Sequence, residues 1–364
     1  MDHQFSILSL LPPLLVLTLG YITRRVILSL IAGILLACFI ATDFSLIATL
    51  KLSGLVIWQN CQFDTFFSID KFTETWNLFI CIFLLILGIF VTLLQHSGGA
   101  FAYGAFIKKH ITSKKKAEKS SLILSMLLFV DDYFSSLTVG SVMYPITDTQ
   151  KVPRAKLCFL VDSMAAPLTL LCPISSWVAA ILGFLRENGI SNQAGPDTLI
   201  NASPLTTYFH ILPFIFYSFI LIASTWFIVS FRVSFGPMKK HEAMADKEGN
   251  LFGGHAPNSA SITEYFKHTH DNTSLIDFVA PILVLLTCVI LGMLYSGDWA
   301  FFGGQSNLVT AFQNSSAAIA LFFGGTVALF ISVVFFVVRG KIPVKELPEI
   351  FYEGLKLMLP AIII

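Results

Sequence analysis

Charge is what this sequence has least of. Asp, Glu, Lys and Arg make up 12% of its 364 residues, about half the roughly 25% of an ordinary soluble domain. With 55% hydrophobic residues and a mean hydropathy of +0.77, the chain carries more apolar surface than one soluble core hides, so lipid must solvate much of it. A basic excess is missing too: 23 Lys and Arg face 22 Asp and Glu, which leaves no positive field for nucleic acid. The cysteines stand singly at 38, 61, 81, 158, 172 and 288, mostly inside apolar runs and with no CxxC pair, so neither a disulfide framework nor a thiolate metal site is indicated. Met1-Asp2-His3-Gln4 lacks the basic region of a cleavable signal peptide, so the first apolar stretch is expected to remain as a span.

The apolar residues fall into runs of membrane-crossing length. A bilayer core of about 30 Å takes about 20 residues of helix, and runs at 5–22, 26–42, 78–95, 205–231, 275–295 and 316–338 approach or exceed that. Two further runs are interrupted: 120–147 by Asp131-Asp132 at its middle, and 157–185 by Asp162, Pro167 and Pro173. Residues 98–107 end in Lys108-Lys109 and are too few to span; they read as an interfacial helix.

Orientation follows from the concentration of Lys and Arg in cytoplasmic loops. If 120–147 dips in and returns to the same side, every basic residue except Lys51, Lys71 and Arg186 falls inside. If it crosses, the next basic loop lies outside and all later loops invert. The charges therefore predict a re-entrant hairpin with the aspartate pair at its tip. The expected organisation is a first transmembrane half at 1–231, carrying the hairpin (120–147) and a broken helix (157–185). A cytoplasmic loop at 232–274 and an incomplete second half at 275–364 follow, with the N-terminus outside. His241, His255, His268 and His270 lie in the polar stretch 241–272; histidine pairs can hold metal, but a solvated linker is the plainer reading.

A carboxylate at the centre of a spanning helix costs about 2.5–3.5 kcal/mol on insertion scales, so the aspartates of the interrupted runs carry most of the information. Neighbouring residues point about 100° apart on an intact helix; Asp131 and Asp132 share one cavity only if the helix unwinds there, which is tolerated where backbone lines a polar cavity. Asp131, Asp132, Ser135 and Ser136 offer hard oxygen ligands suited to Na⁺ or a proton. The second run repeats the device: Asp162-Ser163 precede Pro167, and Pro173 is followed by Ser175-Ser176-Trp177. Proline removes a helix donor and unsettles the residue before it, so Pro167, Pro173, Ser175 and Ser176 mark the expected helix break. Two broken elements meeting at mid-membrane is how secondary transporters build ion sites. Asp131, Asp132 and Asp162 are the expected Na⁺ ligands, and Asp148, at the cytoplasmic end of the hairpin, is a further candidate.

These residues describe an antiporter. A mid-membrane carboxylate needs a counter-charge, and a proton and Na⁺ compete to supply it. The expected partners are the bilayer and the transported Na⁺ and protons, with no resident cofactor and no nucleic acid; a homodimer or a complementary C-terminal chain is a further expectation. An intramembrane enzyme is the other class. An aspartyl protease needs GxGD and a lipid-modifying enzyme DDxxD, neither is present, and HExxH and GxSxG are also missing. A repeated carbonyl filter of the channel type is absent as well.

With those motifs in view, the chain resembles the NhaC-type Na⁺/H⁺ antiporters of the ion-transporter superfamily. The resemblance is carried by Asp131-Asp132-Tyr133 through Ser136-Leu137, by Val139-Gly140, Pro145-Ile146-Thr147-Asp148 and Lys156-Leu157. It continues in Val161-Asp162-Ser163, Ala165-Ala166-Pro167 and Ser175-Ser176-Trp177, with Ser97-Gly98-Gly99 upstream. It covers about residues 95–185; elsewhere the similarity is one of hydropathy. It implies an all-α polytopic transporter of inverted-repeat type in the inner membrane, exchanging external protons for internal Na⁺, with Asp131, Asp132 and Asp162 lining the transport site. Some relatives exchange dicarboxylates or amino acids, which makes a coupled organic-anion or amino-acid exchanger the alternative. Two positions depart from the family: Tyr144 stands where a basic residue is usual, and Thr149 where a second arginine is. The last apolar segment, 357–364, is short for a span, so the second half reads as truncated, and an inactive product is a further alternative.

Overall fold

A computed structural model describes residues 7–62, 75–191, 198–254 and 274–363. Among these, extended pairing is confined to Ile190–Ser191 beside Ile200–Asn201 and a single bridge between Trp299 and Ser306; the rest of the regular structure is helical. Two compact units emerge, one formed by Met1–Cys81 with Lys356–Ile364 and the other by Ile82–Leu355. The first contains α1 (Leu11–Thr23), α2 (Val26–Ala41) and α3 (Leu46–Cys61). Consecutive helices pack on one another there, with Gly33 against Val16 and the Thr42 and Thr49 hydroxyls bonded at 2.9 Å.

The helix α4 (Trp76–His96) leads into the second unit. Next come α5 (Gly99–Lys108), α6 (Lys114–Leu127), α7 (Asp132–Thr149), α8 (Arg154–Leu171) and α9 (Ser176–Glu187). They are followed by α10 (Pro204–Ile211), α11 (Phe216–Phe231), α12 (Gly236–Lys247), α13 (Ile276–Ser296), α14 (Leu308–Gln313), α15 (Ala317–Val338) and α16 (Leu347–Ile363). Side-chain caps set several starts: Ser113 accepts from Lys116 N, Asp131 from Phe134 N, and Ser175 from Val178 N. Each satisfies a backbone donor that the first helical turn leaves free.

Four segments are long and apolar enough to cross a membrane: α4, the stretch Phe216–Lys247, α13 and α15; α8 and α9 qualify together as one span bent by 45°. The run expected at 5–22 gives a helix of only 13 residues, which follows a 3-10 turn at Ile7–Leu10, and that at 26–42 gives one of 16; the chain turns left-handed at Arg24 (φ 55°) between them. The run at 205–231 is not one span either. Pro213, which cannot donate, sits in a short 3-10 turn at Leu212–Phe214, and α11 begins afresh at Phe216. Residues 5–6 of the first run and much of the histidine-bearing stretch, including His255, His268 and His270, lie outside the described residues.

Close helix contact in this unit depends on glycine, as expected where dispersion rather than the hydrophobic effect drives packing. A Cβ on Gly324 of α15 would stand 2.8 Å from the Cys288 carbonyl oxygen of α13. At Gly99, the first residue of α5, a Cβ would stand 2.5 Å from the Asp277 carbonyl oxygen, and the Tyr103 and Phe278 rings meet beside it at 4.6 Å. The obstruction at Gly99 is backbone and has no rotamer to retreat into. Gly99→Ala is therefore expected to lower stability by about 1–3 kcal/mol, read as a fall in the thermal midpoint in detergent. The control is Gly104→Ala, whose Cβ meets nothing nearer than 3.5 Å; it should be neutral or gain up to about 1 kcal/mol of helix propensity.

The start of α6, the end of α7 and the start of α8 are tied together by ion pairs. Glu118 near the start of α6 and Lys156 near the start of α8 pair at 3.1 Å, while Arg154 pairs at 2.6 Å with Asp148 near the end of α7. An apolar cluster of Leu122, Leu160, Met164 and Val229 holds α6, α8 and α11 together.

Candidate functional site

The helix break in the hairpin meets the break between α8 and α9. After Leu127 the backbone unwinds, Asp131 takes an extended conformation (φ −155°, ψ 144°), and α7 begins at Asp132. On the other side Cys172, which precedes Pro173, is extended (φ −94°, ψ 121°), as a residue before proline prefers. Helix resumes at Ser176 under the Ser175 cap. The expected interruption at Pro167 is corrected: α8 runs through it, and the break falls at Cys172–Ser175. What Pro167 does remove is the amide that would bond the Ser163 carbonyl.

Three hydrogen bonds join the two breaks. The Ser176 amide donates to the Val130 carbonyl at 3.1 Å, and the Ser176 hydroxyl donates to Asp131 Oδ2 at 2.7 Å. The Trp177 indole Nε1 donates to Asp132 Oδ1 at 3.0 Å. Asp131 is 1% exposed, and its other oxygen accepts from Phe134 N at 2.9 Å. The problem of two adjacent aspartates is thus solved without their sharing a direction: Asp131 stands outside the helix as its cap and faces Ser176, and Asp132, the first helical residue, faces Trp177.

One turn deeper in α7, the Ser135 and Thr138 hydroxyls are buried and have no hydrogen-bond partner among the described residues. Three residues apart, they share a helix face. Unsatisfied buried oxygens call for an explanation, and here they lie on the same helix whose cap is the buried carboxylate. Thr138 and Trp177 were not singled out from the sequence as site residues. Thr138 is one helical turn from Ser135, and that spacing is the signal that would have found it.

The other expected site residues go elsewhere. Asp162 is exposed, and no hydrogen bond or ion pair links it to a described residue. Among the described residues no three His, Cys, Asp or Glu side chains converge as a metal site. Ser163 is buried and its hydroxyl donates to the Phe159 carbonyl of its own helix. Ser136 is half-buried on α7. Asp148 is held by Arg154, whose guanidinium lies over the Tyr144 ring at 4.4 Å from its centroid.

Two buried carboxylates escaped the sequence reading. Asp277, fully buried at the start of α13, receives Arg339 Nε at 2.9 Å and Lys341 Nζ at 3.4 Å. Glu118, 1% exposed, takes Lys156 at 3.1 Å and Arg232 at 3.8 Å. Burial pushes Glu118 above the usual carboxylate range, more than Lys156 pulls it back. Lys156 also pairs with Glu242 of α12, and Lys114 with Asp246 of the same helix. Both clusters sit at helix ends, where a sequence shows a charge but not its partner.

Apolar helices, a span bent at a serine-capped break and a second break joined to it through a buried aspartate define a polytopic all-α membrane transporter. The comparison with known proteins narrows the class: residues 168–364, more than half of the chain, match the Na⁺/H⁺ antiporter family, and the chain belongs to that family. The matched stretch takes in the second break with Ser176 and Trp177, and then the C-terminal helices in which the motifs had shown only similar hydropathy. An uncharacterized protein of Haemophilus influenzae (strain ATCC 51907 / DSM 11121 / KW20 / Rd) is 28% identical over 369 residues, covering 100% of this chain. The chain spans 66% of that relative's length. No solved structure matches.

Proposed function

We propose that this protein exchanges Na⁺ for protons across the cytoplasmic membrane in the manner of the NhaC-type antiporters, with Asp131 as the shared ligand. The observation that carries this reading is the Asp131 carboxylate, 1% exposed, bonded to Ser176 where the two helix breaks meet. Among the described residues no cation pairs with Asp131, and a buried carboxylate in that state requires a proton or a metal cation to neutralise it. Entry of Na⁺ onto the carboxylate expels the proton, and entry of a proton expels Na⁺; charge balances in each direction. Asp132 and the hydroxyls of Ser135, Thr138 and Ser176 supply further oxygen, the ligand type a hard cation takes. The two broken elements allow the site to open by small shifts of one against the other. The N-terminus is placed outside and the polar stretch 232–274 in the cytoplasm, as loop charge favours.

The test is a Na⁺ pulse to everted membrane vesicles holding a respiration-driven proton gradient, followed with a pH-sensitive amine dye. Na⁺ should collapse the gradient and choline should not. A gradient indifferent to Na⁺ and Li⁺ but collapsed by dicarboxylates or amino acids would replace this reading with the organic-exchanger alternative.

A further inference from the structure

A second binding feature lies away from the aspartates, on the face where the hairpin starts. A cleft of 310 Å³ opens between the end of α5 and the beginning of α6. Its walls are apolar, formed by Phe106, Ile111 and Ile123, and its rim carries Lys116, Lys119 and His110. Among the described residues no carboxylate lines it. Two of the other charges of α6 are engaged elsewhere: Lys114 pairs with Asp246, and Glu118 turns inward to Lys156. Lys116 Nζ reaches the Thr112 hydroxyl at 3.1 Å, and among the described residues no carboxylate pairs with Lys116 or Lys119.

The exposed side of α6 changes character along its length. Lys116 is exposed near its start, and Ile123, Met126 and Leu127 are exposed further on, at 49%, 44% and 55%. A helix descending from water into lipid shows that order. Free phosphate would need only the cations; the apolar walls and the apolar stripe beneath them suit a molecule with an anionic head and a hydrocarbon tail. Basic pockets between helices on the cytoplasmic side are suited to anionic lipid headgroups. We propose that this cleft binds one anionic phospholipid, its phosphate between Lys116 and Lys119 and an acyl chain against Phe106 and Ile123. The proposal is independent of what the aspartates transport.

The experiment is native mass spectrometry of the full chain in neutral detergent, titrated with dioleoylphosphatidylglycerol, with dioleoylphosphatidylcholine, or with inorganic phosphate. Phosphatidylglycerol should be retained in preference to phosphatidylcholine. The Lys116→Gln/Lys119→Gln variant should lower that retention by roughly fivefold for each lysine removed, the factor one lysine contributes near an anionic surface. Ile123→Ser, at an exposed position, tests the apolar wall and should weaken lipid retention while sparing the cationic rim. Equal retention of both lipids, or retention unchanged in the lysine and Ile123 variants alike, overturns the proposal. Displacement of the lipid by millimolar inorganic phosphate would likewise overturn it, by assigning the cleft to free phosphate.

Discussion

Asp131→Asn is expected to abolish Na⁺-driven proton release while leaving the fold in place. The two roles of this side chain are chemically separable. Asparagine ranks with aspartate as an N-cap, and exchanging them costs under about 1 kcal/mol, so the Phe134 amide keeps its acceptor and α7 keeps its start. The Ser176 hydroxyl, which now donates to Asp131 Oδ2, can pair with either amide atom. What disappears is the charge, and with it the group for which Na⁺ and a proton compete. Flux in everted vesicles should fall to that of vesicles lacking the protein, with the thermal midpoint in detergent within a few degrees of wild type. Undiminished flux at normal expression would remove Asp131 from the transport site.

Asp162→Asn makes a useful comparison. The resemblance to the NhaC type implies a shared site, but this carboxylate is exposed and unpartnered among the described residues, so a loss of flux on its replacement would require a partner that the described residues do not provide.

The fold class was legible in the sequence because it follows from solvation: long apolar runs must be helical in lipid, where every backbone donor needs an internal acceptor. The meeting of the basic helix ends was legible for a different reason. Lys114, Lys156 and Arg154 had to share a face if basic residues collect on one side, and the structure gathers all three with Glu118, Asp148, Glu242 and Asp246. The breaks were legible in part. Asp131-Asp132 and Pro173 lie where helix ends, but Pro167 does not interrupt α8: a helix can lose one hydrogen bond and continue when its neighbours still pack, and Pro167 is buried in such packing. Which side chains would meet was the least legible. That Ser176 would reach Asp131 and Trp177 would reach Asp132 depends on the two breaks arriving at the same place, a tertiary fact with no local signature. Asp277 and Glu118 were overlooked for the same reason, since their partners lie tens of residues or more away in the chain.

Lys156→Met carries the largest expected effect on stability. The lysine side chain is 2% exposed and its partner Glu118 1%, and breaking a buried pair by removing one member costs about 3–5 kcal/mol because the other charge stays behind. Among the described residues Glu118 would keep only Arg232, at 3.8 Å; Glu242 also loses its lysine, but at 17% exposure it retains some water. The sign of the pH dependence follows from Glu118. Burial already holds its folded pKa above the usual value, and loss of the lysine disfavours its charged form further. A carboxyl raised in this way contributes stability that is complete below its unfolded pKa, about 4.3, and lost as pH rises through the folded value. The gap between variant and wild type should therefore be widest well above the folded value, and narrow as pH falls through it toward the usual carboxylate range, where Glu118 takes up a proton. Thermal unfolding in detergent across that range measures it, and adding Glu118→Gln to Lys156→Met should recover much of the loss at neutral pH. A gap independent of pH would mean that the lysine acts through its packing and through Glu242, and that Glu118 is neutral in the native protein.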